Sequence, residues 1–181
     1  MLVIEVPKRE FWNEQTEEFV KMDAQVLELE HSLVSVSKWE AKWNKPFLSD
    51  NRKTDEEVMD YIKCMTMNTV DPLCYSVLTR KNMEDINNYI SAPMTATTFG
   101  TSGSQSKKSR EIITSEVIYY WMIALNIPME CQHWHLSRLI TLIRVCDSKS
   151  NPDKKKMSKA ETLRQNRELN EARRQKLKSK G

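Results

Sequence analysis

Residues 109–146, SREIITSEVIYYWMIALNIPMECQHWHLSRLITLIRVC, constrain the fold most, because a proline separates two densely apolar segments there. The first segment, 110–126, carries isoleucines and tyrosines around most of a helical circumference, which is typical of a helix that is buried or faces two partners. Pro128 ends this helix, since the residue before a proline avoids helical dihedrals. The second segment, 131–146, repeats apolar residues at helical spacing. We therefore expect two helices that form an antiparallel hairpin.

The first thirty residues carry a pattern that is typical of strands. Residues 2–6, LVIEV, form a β-branched run that Pro7 ends, and residues 26–30, VLELE, alternate as a half-buried strand does. Polar residues 13–18 separate two apolar pairs and suit a turn. We expect a small sheet of two or three short strands. A helix over residues 14–30 is the alternative, because glutamate is a poor strand former.

From Ser32, a good N-cap residue, the apolar residues recur at the spacing of a helix, and Pro46 ends this helix. Trp39 and Trp43 share one face of the helix, where we expect core packing; an exposed docking stripe is the alternative.

Two further helices are expected before Pro93. Thr54, with Glu57 three residues later, predicts a capping box at the start of the first. The second is predicted over residues 82–90, with Asn82 or a nearby residue at its cap.

Together these patterns predict an α+β fold that is mainly α, with a small N-terminal β-sheet or hairpin, a helical bundle and a basic C-terminal helix or tail. The predicted globular domain, 1–153, divides into a small β region (1–31), helices (32–93), a flexible linker rich in Ser, Thr and Gly (94–109) and a helical hairpin (110–147). Residues 154–181 form the predicted basic tail, helical or disordered.

The net charge of +3 is unevenly distributed along the chain. Residues 154–181 hold eleven Lys or Arg against three Glu, a net charge of +8, so the remainder carries −5. An acidic body with a basic tail favours docking of the tail on its own body, on an acidic protein or on a polyanion.

The sequence contains no pattern that indicates catalysis, so we expect that the protein is not an enzyme and binds no cofactor. Cys131, His133 and His135 are the residues that come closest to a metal-binding pattern. His133 and His135, two residues apart, point to different sides of a helix. Cys131 and His135 have a suitable four-residue spacing, but two ligands do not make a metal site. The four cysteines lack a CxxC pair and are expected to be reduced. No apolar run reaches the roughly 20 residues of a membrane span, and the N-terminus lacks a secretory signal pattern. A cytosolic location is therefore expected.

Several longer phrases resemble one family. They are HSLVSVSKWEAKWNKPFL (31–48), YIKCMT (61–66), MTAT (94–97) and the block from 110 to 146. Together they resemble tail assembly chaperones of long-tailed bacteriophages, in the short form that is made without a frameshift. The likeness extends over most of the chain.

The resemblance implies a protein of the host cytoplasm that binds the tape-measure protein and keeps it soluble. It further implies that the chain promotes tail-tube assembly, acts in multiple copies and is absent from the finished virion. Contact with the tail-tube protein would come through a longer, frameshifted form. No membrane is implied, and nucleic acid is not an expected partner.

Aromatic rings and arginines of the C-terminal half are the expected contacts of such a partner: Tyr119, Tyr120, Trp121, Trp134, Arg138, Arg173 and Arg174. Two other functions remain open. The basic tail suits a small nucleic-acid-binding regulator, and the chain is also compatible with a minor structural tail protein.

Overall fold

A computed structural model describes residues 1–13, 17–49, 51–98, 112–150, 163–164, 166–171 and 173. The chain forms two compact units, Met1–Arg144 and Val145–Gly181. Short antiparallel strands come first and helices follow, so the predicted α+β, mainly helical fold is confirmed. Among the described helices, none combines the length and the apolar character that crossing a membrane requires.

The four strands belong to one long hairpin, which we call the ribbon. Strand β1 (Leu2–Val6) pairs with β4 (Gln25–Leu29), and β2 (Arg9–Asn13) pairs with β3 (Glu18–Met22), both antiparallel. The register continues across the break, since Val6 lies opposite Gln25 and Arg9 lies opposite Met22. Pro7 lies in the break and cannot donate a ladder hydrogen bond. The predicted small sheet or hairpin is confirmed, but it has four short strands where two or three were expected, and the helical alternative for this region is wrong.

The buried side of the ribbon changes at this break. In the inner half, β1 and β4, the buried pair is Ile4 and Leu27. An uninterrupted two-residue alternation would put Trp12 on the same side as Ile4. In the outer half, β2 and β3, Met22 is buried instead, whereas Trp12 and its partner Phe19 are 53% and 63% exposed.

Five α-helices and two 3-10 helices follow the ribbon in the described residues up to Ser150. They are α1 (Leu33–Trp43), α2 (Asp55–Met65), the 3-10 helix Pro72–Val77, α3 (Arg80–Ser91), α4 (Ser115–Ala124), the 3-10 helix Met129–His133 and α5 (Leu136–Ser150). Ser32 caps α1 by accepting the Ser35 N–H, as predicted. Thr54 and Glu57 form the predicted capping box of α2.

Three predicted helix boundaries are wrong. Helix α3 begins at Arg80, because Thr79 is its cap and Asn82 closes a reciprocal capping box from the third helical position. The segment expected to be helical from residue 131 is first a 3-10 turn, since Trp134 is extended and His135 pairs with Ser32 as an isolated bridge. The helix expected over 110–126 is observed only from Ser115 to Ala124, and residues 110–111 lie outside the described residues.

One core joins the ribbon to the helices within Met1–Arg144. Its fully buried side chains include Leu27, Leu29, Leu33, Trp39, Ile62, Met65, Ile86, Ile118, Met122, Leu136 and Leu139. Trp39 is therefore a core residue, as expected, while Trp43 is half-buried. Backbone hydrogen bonds from Glu30 N–H to Met65 O (2.9 Å) and from Leu136 N–H to His31 O (2.7 Å) connect the ribbon to α2 and α5.

Helix α1 packs against α2 and α4. The predicted domain limits and the helical hairpin over 110–147 stay predictions. Residues 99–109 of the predicted linker lie outside the described residues, as does most of the predicted tail. In the tail, residues 163–164, 166–171 and 173 are helical.

Candidate partner-binding surface

Helix α4 has one side in the core and an apolar side exposed. Ser115, Ile118 and Met122 are at most 1% exposed. On the other side Tyr120 and Ile123, three residues apart, are each 67% exposed. We call the exposed side, made of Glu116, Tyr120 and Ile123, the outer face of α4. Because a monomer gains nothing from exposing a large ring beside an isoleucine, this face is a candidate for contact with a partner.

Tyr119 and Trp121 flank the outer face and are half-buried. The Tyr119 hydroxyl donates to Gln132 Oε1 at 3.0 Å, which ties α4 to the 3-10 helix after Pro128. Burial raises the pKa of Tyr119. Of the three aromatic residues predicted here for partner binding, Tyr120 is therefore the exposed one.

A buried carboxylate from α1 holds the start of α4. Glu40 is 7% exposed, and its oxygens accept the Ser115 N–H and the Phe47 N–H, each at 2.7 Å. Thr114, the N-cap residue, makes no side-chain cap bond, so Glu40 takes over that role. Since negative charge is favourable at a helix N-terminus, the contact suits both the helix and the carboxylate.

Trp134 and Arg138 lie at a second place, an open cleft of about 320 Å³ that we call the Trp134 cleft. Its lining includes Glu30, Tyr89, Met94, His133, Trp134 and Arg138. The Arg138 guanidinium carbon lies 4.3 Å from the centre of the Trp134 ring, a close cation–π contact. Trp134 lies in the extended segment before α5, and Arg138 lies in the first turn of that helix, so the contact spans the start of α5.

The acidic group of this cleft is already occupied. One oxygen of Glu30 lies 2.8 Å from the Met1 amino group, and the other accepts the Tyr89 hydroxyl at 2.6 Å. Burial, together with the neighbouring Glu30 carboxylate, raises the pKa of Tyr89. Glu30 is thus ion-paired with the Met1 amino group and hydrogen-bonded by Tyr89.

Beneath the cleft is a buried cluster of two histidines. His135 bonds from Nε2 to Tyr89 O (3.0 Å) and accepts the Ser137 N–H at Nδ1 (3.3 Å). The ring of His31 lies 5.1 Å from that of His135, and its Nδ1 shares a hydrogen bond with the Tyr61 hydroxyl. Burial, and then the nearby His135, lower the pKa of His31 to about 4.

Cys131, His133 and His135, the candidate metal ligands, differ in burial. Cys131 and His135 are buried, whereas His133 is exposed. Among the described residues, no group of three or more His, Cys, Asp or Glu side chains is arranged to hold a metal ion.

The remaining predicted contacts belong to the second unit. Arg173 is exposed, and Arg174 lies outside the described residues. Nearby, Arg164 forms an exposed ion pair with Glu168 at 3.2 Å.

Sequence reasoning missed two exposed apolar features. Ile123 was assigned to an apolar helix without a side, although its spacing from Tyr120 could have indicated a shared face. The Trp12–Phe19 pair, with ring centres 5.0 Å apart, was predicted as part of a hairpin, but the alternation gave no sign of its exposure.

Comparison of the chain with protein-family models, with curated proteins and with solved structures found no match.

Proposed function

We propose that this chain is a tail assembly chaperone of a long-tailed bacteriophage, which covers the tape-measure protein in the host cytoplasm until the tail tube assembles around it. The observation that carries the proposal is the outer face of α4, where Tyr120 and Ile123 are each 67% exposed on a helix whose other side is fixed in the core. The sequence resemblance supports the same role.

The chemistry of the outer face fits a long helical client. An amphipathic helix presents aliphatic residues at intervals of three and four, and it can be covered by a second helix that exposes apolar side chains at the same spacing. Tyrosine adds a large contact area at a small cost in conformational entropy. Exposed methionines of the same unit, Met67, Met94 and Met129, can repack against client sites that differ from one another.

The small size of the outer face fits a temporary coat. A short apolar face gives weak contacts, and weak contacts release when tube subunits compete for the same client. Many copies along one client would supply the total affinity that a single copy lacks. Self-association of the chain belongs to this proposal, as does its absence from the finished virion.

The described part of the C-terminal unit does not strengthen the nucleic-acid alternative. Arg164 is paired with Glu168, and exposed leucines, Leu163 and Leu169, lie among the charges. A phosphate-binding helix would present unpaired cations along one side.

Co-expression with the tape-measure protein of the same phage tests the proposal. The tape-measure protein alone should be largely insoluble, and the chain should keep it in solution and co-purify with it. Changing Tyr120→Glu and Ile123→Glu together should reduce the co-purified client at least about tenfold, because charge on an interface core removes apolar contact and adds a desolvation cost.

Asn87→Glu, at an exposed position of α3, is the control, since it adds a negative charge away from the outer face. Circular dichroism should show that both variants keep the wild-type helix content. A tape-measure protein that is equally insoluble with and without the chain would refute the proposed function. Equal recovery with the double variant would refute the assignment of the surface.

A further inference from the structure

Arg138 is an exposed cation without an ion-pair partner among the described residues, although it is held in place. Three other exposed cations of the same unit lie against acids: Lys42 pairs with Asp60, Lys45 with Glu57 and Arg80 with Glu84. Arg138 instead stacks on Trp134 with 4.3 Å between the guanidinium carbon and the ring centre. Stacking uses the flat face of the guanidinium and leaves the N–H groups at its edge available.

The acidic residue that lines the Trp134 cleft, Glu30, does not pair with Arg138. Glu30 lines the same cleft, but its two oxygens are taken by the Met1 amino group and the Tyr89 hydroxyl. The cleft therefore presents an immobilised guanidinium edge and no free anion of its own among the described residues. A carboxylate from outside would find a bidentate donor whose conformational entropy has already been reduced.

The other walls of the cleft limit what can enter. Trp134 is half-buried and Met94 is 44% exposed, so one side offers an indole and a flexible thioether to aliphatic carbons. A volume of about 320 Å³ has room for one or two side chains, and not for a folded domain. A glutamate, with methylenes below its carboxylate, matches both the apolar wall and the guanidinium edge.

We infer that the Trp134 cleft binds an acidic side chain, a glutamate above all, presented by a helical segment of the client. This inference rests on the proposed function, because it names the chemistry by which that client is selected. Apolar contact on the outer face of α4 does not distinguish between client segments of different sequence. The Arg138 guanidinium, fixed over the Trp134 indole, prefers client segments that carry an acid at one position. The cleft would then set where along the client a copy binds.

Calorimetric titration with two designed peptides tests the inference. Each is an amphipathic helix of about 20 residues, long enough to be helical, and the two differ only in a central glutamate or glutamine. The full-length chain should bind the glutamate peptide about tenfold more tightly, as expected for one charge-assisted bidentate contact. Arg138→Gln should abolish the preference, and Arg138→Lys should keep only part of it, because lysine retains the charge and loses the planar fork.

Arg80→Gln is the matched control, since Arg80 is also exposed, lies on α3 and pairs with the exposed Glu84. It should leave the preference at the wild-type value. Equal affinity of the two peptides for the wild-type chain, an unchanged preference in Arg138→Gln, or no measurable binding of the glutamate peptide would each overturn the inference. The two proposals can fail separately. The solubility of the tape-measure protein tests the proposed function and does not depend on Arg138. The ratio of the two peptide affinities tests the Trp134 cleft and does not require the tape-measure protein.

Discussion

His31 is a buried histidine whose surroundings favour its neutral form. It is 4% exposed, shares a hydrogen bond with the Tyr61 hydroxyl and lies beside the ring of His135. Burial is the main cause of the lowered pKa, the neighbouring His135 adds to it, and Glu30 opposes it. A charge on His31 would therefore be costly inside this core.

The lowered pKa predicts acid sensitivity. The pKa of His31 is about 4 in the folded chain against 6.5 in the unfolded chain, so the unfolded state binds more protons between these values. The contribution of neutral His31 to the stability of the fold is present above pH 6.5 and is lost as the pH falls towards 4. We expect the free energy of unfolding to fall by about 2 kcal/mol between pH 7 and pH 5 from this residue alone.

Urea denaturation at the two pH values measures this effect. His31→Gln should be less stable at pH 7 and should show a flatter dependence on pH, whereas His133→Gln, at an exposed position, should keep the wild-type slope. A slope in His31→Gln equal to that of the wild-type chain would mean that another group titrates.

Glu40 illustrates the same kind of long-range polar contact at the residue scale. Its buried carboxylate serves the backbone of the α1–α2 connection and the first turn of α4. Nothing local marks this role, because Glu40 and Ser115 are far apart in sequence. By contrast Ser32, Thr54 and Glu57 were predicted correctly, since a capping contact spans only three residues.

At the scale of single elements, the position of α4 depends on Glu40. We expect Glu40→Ala to lower the free energy of unfolding by about 2–3 kcal/mol, because the buried Ser115 N–H and the partly buried Phe47 N–H both lose a charged acceptor. Glu40→Gln should lose less, since one amide oxygen remains as an acceptor. Urea denaturation measures both variants.

Glu84→Ala, which removes only an exposed ion pair of α3, is the control and should change stability by less than about 1 kcal/mol. If Glu40→Ala is no more destabilised than Glu84→Ala, water or another donor set must replace the contact, and α4 does not depend on Glu40.

Helix ends were predicted well only where the signal was local. Asn126 adopts a left-handed conformation just after α4, which ends at Ala124, two residues before the predicted end at residue 126. The predicted start of α5 was wrong because the backbone of His135 pairs with that of Ser32, and such a tertiary pairing overrides the helical spacing of the sequence. For the candidate surface, the sequence supplied the aromatic residues, but their exposure depends on which side of α4 meets α1.

At the scale of the whole unit, the ribbon and the helices share one core. Leu29 in β4 is completely buried and is bridged to Thr66 at the end of α2. We expect Leu29→Ala to cost about 2–5 kcal/mol, as large-to-small core changes do. Because the core is shared, the loss should lower the unfolding midpoint of the helices together with that of the ribbon.

Thermal unfolding followed by far-UV circular dichroism and by tryptophan fluorescence tests this cooperativity, since two-state unfolding gives coincident transitions. Val3→Ala, in the same ribbon but 52% exposed, should leave the midpoint nearly unchanged. A helical transition that stays at the wild-type midpoint in Leu29→Ala would show that the ribbon and the helices unfold independently.

The break in the ribbon decides the direction in which its tip displays aromatic rings. An unbroken alternation would place Trp12 and Phe19 on the side where Ile4 and Leu27 are buried. Across the break the buried side changes, and the indole and the phenyl ring are exposed instead. The interruption at Pro7 therefore coincides with the point where apolar side chains of the ribbon pass from the core to solvent.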